Sequence, residues 1–277
     1  MNIKPILRKY DFRPKKRWGQ NFLVNDKIRD KIIGILAIRS VDSVLEIGPG
    51  LGILTGQLTK CAKNVIAVEK DKRLCEVLKE LLGGHLNLQI VCDDILMLDL
   101  SRLIGHNKKL KVIGNLPYYI TSPIIFHLFK ARKVIDTILI TVQREVGRRL
   151  LAKPGIRDYS ALSVNVRFHS EPSLHGIIKK DAFFPRPKVD SSIIKLKLFE
   201  HPPVRVDNKE KFFALVRASF NKRRKTILNS LIGSEYFSLK KEGWLDVFKK
   251  SQLDPTRRAE TFHLEEFARL FNNIRST

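Results

Sequence analysis

The chain has 277 residues, enough for one large domain together with a smaller one. Its 52 lysines and arginines against 28 aspartates and glutamates give a formal net charge of +24, more than solubility requires, which indicates a polyanionic partner such as nucleic acid. No apolar run approaches the roughly 18 residues of a membrane span, and the basic first twenty residues lack a secretory signal pattern. We therefore expect a cytoplasmic protein that makes no membrane contact.

The cysteines and histidines do not form the pattern of a metal site. Cys61, Cys75 and Cys92 lack the C-x-x-C spacing of a zinc site or redox dithiol, and the seven histidines fall singly. The sequence therefore predicts buried, reduced thiols and no metal cofactor.

Two runs of positive charge adjoin the aromatic residues Trp18 and Phe220. Cations hold phosphates and aromatic rings stack on unpaired bases, a combination that suits RNA. Either run alone could be a solvated surface, but together with the net charge they favour RNA binding. The candidate RNA-binding residues are Arg13, Lys15, Lys16, Arg17, Lys222, Arg223, Arg224 and Lys225.

Short β-rich apolar runs alternate with helical patterns from about residue 26 to residue 133, which is typical of a doubly wound α/β domain with helices on both faces of its sheet. Two later runs, 161–168 and 193–198, alternate apolar and polar residues and predict an antiparallel pair at the sheet edge. We therefore expect a mixed sheet. The five earlier predicted strands are 43–47, 65–68, 88–91, 112–115 and 138–142.

A domain boundary is predicted at residues 200–203, where two consecutive prolines disfavour both strand and helix. Residues 1–200 would form the α/β domain with its basic N-terminal segment. Helical patterns at 209–231 and 264–274 predict that residues 201–277 form a small helical domain.

The first predicted strand runs into the segment EIGPGLG at 46–52. Glycines such as Gly48 and Gly50 at a strand-to-helix turn allow a ligand to approach the backbone. The nicotinamide-binding fingerprint would require a third glycine where this chain has Ile53. The spacing instead resembles the first motif of class I methyltransferases that use S-adenosylmethionine.

Acidic residues also follow the next two predicted strands. Glu69 ends the second strand, where a carboxylate can accept hydrogen bonds from a ribose diol. Asp93 and Asp94 follow the third, where a carboxylate can accept from an adenine amine, and Asp94 fits the spacing of this enzyme class better. Each acid could cap a helix instead. Acids at successive strand ends nevertheless favour a cofactor pocket.

The fourth predicted strand ends in NLPY, residues 115–118. An adenine amine is a poor nucleophile because its lone pair is delocalised into the ring. The side-chain oxygen of Asn115 and the backbone carbonyl of Leu116 can accept its N–H groups and localise that lone pair. Pro117 would fix the turn, and Tyr118 would stack on the base. Methyl transfer to an amine by positioning, without a strong general base, is predicted.

These segments resemble the small-subunit ribosomal RNA adenine N6,N6-dimethyltransferases of the KsgA type over nearly the whole chain. The shared motifs are QNFL at 20–23, the glycine turn, NLPY at 115–118, FFPRPKVDS at 183–191 and FNKRRKT at 220–226. The resemblance implies that Asn21, Leu23 and Asn115 contact the cofactor. It also implies that Phe183 sandwiches the target adenine opposite Tyr118.

The resemblance further implies S-adenosylmethionine-dependent dimethylation of adenines in 16S ribosomal RNA during ribosome biogenesis. The partner would be small-subunit RNA or an immature small subunit, bound by a monomer whose residues 201–277 contact RNA. The chain departs from the family at Tyr119, where the family usually has Asn. This change affects the packing of the loop rather than the proposed acceptors.

Other functions remain as alternatives at this stage. One is a large-subunit ribosomal RNA methyltransferase of the antibiotic-resistance type, although those enzymes usually carry Ile where this chain has Leu116. Another is a non-catalytic assembly factor, which the intact Asn115, Tyr118 and Glu69 argue against. A DNA or protein amine methyltransferase is disfavoured by the motifs and the charge, respectively.

Overall fold

The computed structural model describes residues 3–15, 18–103, 109–222 and 224–274. By its internal contacts the chain divides into two compact units, one formed by Met1–Gly147 with Ser173–Leu198 and the other by Arg148–Pro172 with Phe199–Thr277. The last change of unit along the chain, after Leu198, falls two residues before the predicted boundary. The segment Arg148–Pro172 belongs to the second unit, whereas the sequence alone had placed it with the α/β domain.

The first unit contains a mixed seven-stranded sheet flanked by helices, which confirms the predicted fold class. The strands are β2 (Ser43–Ile47), β3 (Asn64–Glu69), β4 (Leu88–Cys92), β5 (Leu110–Asn115), β6 (Ile135–Gln143), β7 (Ser170–Ile178) and β9 (Ser191–Leu198). Their order in the sheet is β4-β3-β2-β5-β6-β9-β7. Strands β4, β3, β2, β5 and β6 run parallel to one another, and β9 is antiparallel to β6.

Helices or short 3-10 turns connect each parallel strand to the next. The central strands are buried apolar runs, as expected for a sheet covered on both faces. A separate two-stranded ribbon pairs β1 (Phe22–Leu23) with β8 (Phe183–Phe184). The helices of this unit are α1 (Lys4–Lys9), α2 (Asp26–Leu36), α3 (Thr55–Cys61), α4 (Lys72–Leu82) and α5 (Thr121–Lys130), and α6 (Arg144–Leu151) leads into the second unit.

The predicted edge strand at 161–168 is wrong, because this segment forms helix α7 (Ala161–His169). The side chains of Ser160 and Ser163 form a capping box at its start. Most of the helix is buried on more than one side, so its apolar residues do not form a single stripe. Their spacing in the sequence therefore resembles the alternation of a strand. The true edge strand is β7, which follows α7 directly and lies next to β9.

The second unit has a helical core built around the fully buried Trp244, Phe212 and Phe267. The predicted helical run at 209–231 is two helices, each begun by a side-chain cap from Asn208 or Thr226. The helices of the second unit are α7, α8 (Lys209–Phe220), α9 (Ile227–Leu231), α10 (Lys241–Lys250) and α11 (Leu264–Ile274). In the part of the chain that the structure describes, no helix is long and apolar enough to cross a membrane.

The prediction of three buried, reduced thiols is also wrong. Cys75 of α4 and Cys92 at the end of β4 form a disulfide across a Cα–Cα distance of 6.0 Å, and Cys61 is a free, exposed thiol. The pairing arises because α4 packs back against the edge strand that follows it. Their 17-residue separation gave no sign of this proximity.

Candidate active site

A cleft with an empty volume of about 720 Å³ lies at the carboxyl ends of the parallel strands of the sheet. This is where open α/β sheets bind their ligands. Residues from the ends of β2, β3 and β5 and from the loop after β4 contribute to its wall. The predicted cofactor residues in that wall are Asn21, Gly48, Gly50, Glu69, Asp94 and Asn115.

The glycine turn after β2 is shaped by backbone conformations that favour glycine. Gly48 and Gly50 have φ values of 67° and 60°. A Cβ atom on Gly50 would lie 2.9 Å from the ring of Phe22. The turn can therefore adopt this conformation and pack against Phe22 only because Gly50 lacks a side chain.

Glu69 is 7% exposed, and its carboxylate holds the loops on either side of it. One oxygen accepts a hydrogen bond from Gly50 N at 3.1 Å, and the other accepts from Asp71 N at 2.9 Å. Burial raises the pKa of Glu69, and these hydrogen bonds counteract it only partly. Each oxygen retains a further lone pair, so the group can still accept two hydroxyl donors.

Beneath the turn, Glu46 is fully buried and accepts a hydrogen bond from Thr55 Oγ1 at 2.6 Å. Burial raises the pKa of this carboxyl to about 7. Glu46 does not line the cleft, and it ties the end of β2 to the start of α3.

Asp94 lies in the cleft wall and accepts two hydrogen bonds, from Leu96 N at 3.0 Å and from Lys70 Nζ at 2.7 Å. Burial acts to raise its pKa, but these hydrogen bonds outweigh that effect and hold the pKa below its ordinary value. Asp93 is exposed and accepts from Asp94 N at 2.7 Å. Lys70 was not predicted from the sequence, although its position directly after Glu69 at a strand end was a usable signal.

Asn115 has both ends of its side-chain amide engaged. The Nδ2 group donates to the backbone carbonyl of Asn21 at 2.8 Å, and Oδ1 accepts a hydrogen bond from the hydroxyl of Thr141. Leu116 is 1% exposed and does not line the cleft. Pro117, predicted to fix the turn, lies in the cleft wall.

Four residues predicted for the cofactor and reaction site lie outside the wall of this cleft, namely Leu23, Leu116, Tyr118 and Phe183. Leu23 and Phe183 are buried cross-strand partners in the β1–β8 ribbon. They line a second cavity of about 290 Å³, which shares Asn115 with the cleft. Tyr118 is half-buried and its hydroxyl lies 3.1 Å from Ser191 Oγ, while Tyr119 lines the cleft and is exposed. Burial raises the pKa of Tyr118.

The first basic run is only partly available to RNA. Arg13 is exposed, but Lys15 Nζ forms an ion pair with Asp71 at 2.9 Å and lies 4.4 Å from the ring centre of Trp18. Asp71 also accepts from Gln20 Nε2 at 3.0 Å. Trp18 and Gln20 line the cleft, a role that the sequence did not reveal. The remaining predicted residues of this run, Lys16 and Arg17, lie outside the described residues.

The second basic run lies between helices α8 and α9. Lys222, Arg224 and Lys225 are exposed, and Arg223 lies outside the described residues. Over the described ranges, no carboxylate forms an ion pair with these three cations. The described part of the chain includes no group of three or more His, Cys, Asp or Glu side chains able to hold a metal ion.

Comparison with known proteins relates this site to one enzyme class. A sequence model of the family described as ribosomal RNA adenine dimethylase matches residues 11–276. A protein of Alkaliphilus oremlandii named ribosomal RNA small subunit methyltransferase A is 40% identical over 274 residues, covering 98% of this chain and 95% of that protein.

Two solved structures share the fold over 92% of this chain. A dimethyladenosine transferase from Plasmodium falciparum is 29% identical, with a TM-score of 0.77 and 98% of that chain covered. The 23S ribosomal RNA methyltransferase ErmE is 27% identical, with a TM-score of 0.69 and 99% of that chain covered. The extent of the family match, together with a glycine-floored cleft bounded by Asn115, shows that this chain belongs to the ribosomal RNA adenine dimethylase family.

Proposed function

We propose that the protein transfers methyl groups from S-adenosylmethionine to the exocyclic amine of adenines in small-subunit ribosomal RNA, twice on each target. The carrying observation is the position of Asn115 at the rim of the cleft, with its side-chain amide held in one orientation. We infer that the substrate is an immature small subunit in the cytoplasm and that the enzyme acts as a monomer.

The chemistry of the cleft fits S-adenosylmethionine. Gly48 and Gly50 line the cleft with backbone alone, so a ligand can approach the main chain closely. Glu69 offers acceptors for a ribose diol, and Asp94 lies where an adenine amine can be recognised. When bound, S-adenosylmethionine supplies an electrophilic methyl group on a sulfonium sulfur, a leaving group that needs no further activation. Asn21 and Gly48 would contact it through the same wall, and Leu23 would support that wall from below.

The task of the chain at the target amine is to restore nucleophilicity. Oδ1 of Asn115 and the carbonyl of Leu116 would accept the amine hydrogens, so that the nitrogen lone pair is directed at the methyl donor. Because these acceptors belong to one short turn after β5, they approach the amine from one side. Charge that develops on the amine is thereby stabilised by dipoles already in place.

Tyr118 and Phe183 would hold the target base between their rings. Phe183 is 4% exposed in this structure, so this role requires a change of its side-chain rotamer when the base enters, a common adjustment on binding.

The RNA itself would be held by cations with no competing carboxylate. Arg13 and the exposed Lys222, Arg224 and Lys225 meet this condition among the described residues, and Lys16, Arg17 and Arg223 complete the two predicted runs. Lys15 would contribute less, because its ammonium group already pairs with Asp71.

The experiment is transfer of tritiated methyl groups from labelled S-adenosylmethionine to immature small subunits, followed by nuclease digestion to identify dimethyladenosine. Asn115→Ala should bind RNA normally and still bind cofactor through Glu69 and Asp94, but transfer methyl groups about a hundred- to a thousand-fold more slowly, as expected when one preorganised polar group is removed. Large-subunit particles serve as the comparison substrate. Preferential labelling of those particles would replace this proposal with the activity named for ErmE, and binding without transfer would indicate an assembly factor.

A further inference from the structure

The hydroxyl group of Thr141 makes a contact with Asn115 that the proposed mechanism has not used. We propose that Thr141 is a positioning residue, whose hydroxyl fixes the side-chain amide of Asn115 so that one lone pair of Oδ1 faces the target amine. This inference rests on the role proposed above for Asn115.

The backbone already places the two residues side by side. Asn115 at the end of β5 is the cross-strand partner of Thr141 in the parallel strand β6. Leu116 N donates to Thr141 O at 3.1 Å, which extends this pairing one residue past the end of β5. The distance between the side chains is therefore set by two strands of the central sheet rather than by a loop.

The hydrogen bonds of the amide distinguish its two ends. Nδ2 donates to the carbonyl of Asn21 at 2.8 Å, and Oδ1 accepts from the hydroxyl of Thr141. A rotation of the amide by 180° would set Oδ1 against the carbonyl of Asn21, with two acceptors facing each other. Because a hydroxyl can donate or accept, the contact with Thr141 does not itself select the orientation. Once the carbonyl of Asn21 has selected it, this contact restrains the tilt of the amide plane.

The acceptor capacity of Oδ1 gives this contact a chemical consequence. An amide oxygen has two lone pairs, and the hydroxyl of Thr141 occupies one of them. One acceptor position is left for a hydrogen of the target amine. Because the amide is held from the interior of the sheet, the free lone pair has a defined direction before the substrate binds.

The burial of Thr141 supports a specific role for its hydroxyl. Thr141 is 4% exposed and lies within a strand of buried apolar residues that includes Ile140 and Val142. Burying a hydroxyl group is unfavourable unless it forms a hydrogen bond. Valine has nearly the same shape and would fill the position without that requirement. The hydrogen bond to Asn115 therefore accounts for a threonine at this position.

The test compares Thr141→Val, which removes the hydroxyl and keeps the shape, with Thr141→Ser, which keeps the hydroxyl. We expect Thr141→Val to lower kcat for methyl transfer about tenfold, as for loss of one orienting hydrogen bond. KM for S-adenosylmethionine and for the RNA particle should stay unchanged. Thr141→Ser should retain most of the parent kcat. In the Asn115→Ala background, Thr141→Val should cause no further loss.

If Thr141→Val folds poorly, as judged by its melting temperature, the pair Thr141→Ser and Thr141→Ala makes the same comparison without the methyl group. A parent-like kcat in Thr141→Val, with Asn115→Ala slow, would overturn the role of Thr141 alone. Full activity in Asn115→Ala would overturn the role of Asn115 and with it that of Thr141. An equal further loss in the Asn115→Ala background would show that Thr141 acts by another route and would also overturn the proposal.

Discussion

The carboxylate of Asp71 anchors the part of the cleft wall that residues 18–21 form. Removing this carboxylate therefore tests how that part of the wall supports the cofactor site. Asp71 is 2% exposed and accepts hydrogen bonds from Lys15 Nζ at 2.9 Å, from Gln20 Nε2 at 3.0 Å and from Arg73 N at 3.2 Å. The last of these caps helix α4. We expect Asp71→Ala to destabilise the fold and to weaken cofactor binding.

The magnitude follows from these three hydrogen bonds. Loss of the helix cap costs about 1 kcal/mol. The two charge-assisted hydrogen bonds cost about 1.5 kcal/mol each, at the lower end of their range because the side chain of Lys15 is 33% exposed and therefore screened. The free energy of unfolding should fall by roughly 4 kcal/mol in Asp71→Ala. Asp71→Asn keeps the shape and a good cap and should lose about half as much.

The assay is urea unfolding of the parent and both variants, with calorimetric titration of S-adenosylmethionine under native conditions. Gln20 and Asn21 line the cleft, so cofactor affinity should fall in the same order as stability. Lys9→Ala removes a surface ion pair with Glu80 and serves as the control, which should change neither quantity appreciably. Parent-like stability in Asp71→Ala would refute the reasoning, and parent-like affinity would show that these hydrogen bonds do not support the cleft.

Three further predictions concern stability and RNA binding. Burial raises the pKa of Glu46 from 4.5 to about 7, so its protonated form favours the folded state and its contribution to stability falls as pH rises from 4.5 to 7. Glu46→Gln should therefore gain up to roughly 3 kcal/mol on the parent between about pH 4.5 and 7.5 in urea unfolding, and a constant difference would contradict the burial argument. Reduction of the Cys75–Cys92 disulfide should lower the free energy of unfolding by about 3 kcal/mol, with Cys61→Ser as the control that keeps the disulfide. Mass analysis showing three free thiols in the native protein would contradict the pairing. Neutralising the run 222–225 should flatten the dependence of RNA affinity on salt by about 0.7 to 0.9 for each phosphate that the protein no longer neutralises, and an unchanged slope would assign the run to a solvated surface.

Several features of the site could be read from residues close together in the chain. The glycine turn at 46–52, Glu69 and Asp94 each lie at or just after the end of a parallel strand, and parallel strands bring their carboxyl ends to one edge. Asn115 was found in the same way. The signal is local in each case, because strand periodicity and the residues just after a strand end are properties of short segments.

Other features depended on contacts between distant segments. Residues 161–168 alternate apolar and polar residues as a strand does, yet they form α7. Because this helix is buried on several sides, its apolar residues are not confined to one helical face. Cys75 meets Cys92, and Lys15 meets Asp71, through packing that neither spacing nor composition encodes. Phe183 lies in the wall of a second cavity rather than the cleft.

The sequence by itself determined the order of the five parallel strands along the chain, the glycine turn and the types of residue at the carboxyl ends of those strands. These follow from backbone geometry and local side-chain chemistry. Only the tertiary structure decided which side chains from different strands meet at the carboxyl edge of the sheet. It also decided which hydrogen-bonding groups on those side chains remain free for a ligand. Thr141 shows the difference, because only the pairing of β6 with β5 turns a buried threonine into the partner of Asn115. Such pairings depend on the packing free energy of the whole unit, to which residues far apart in the chain contribute together.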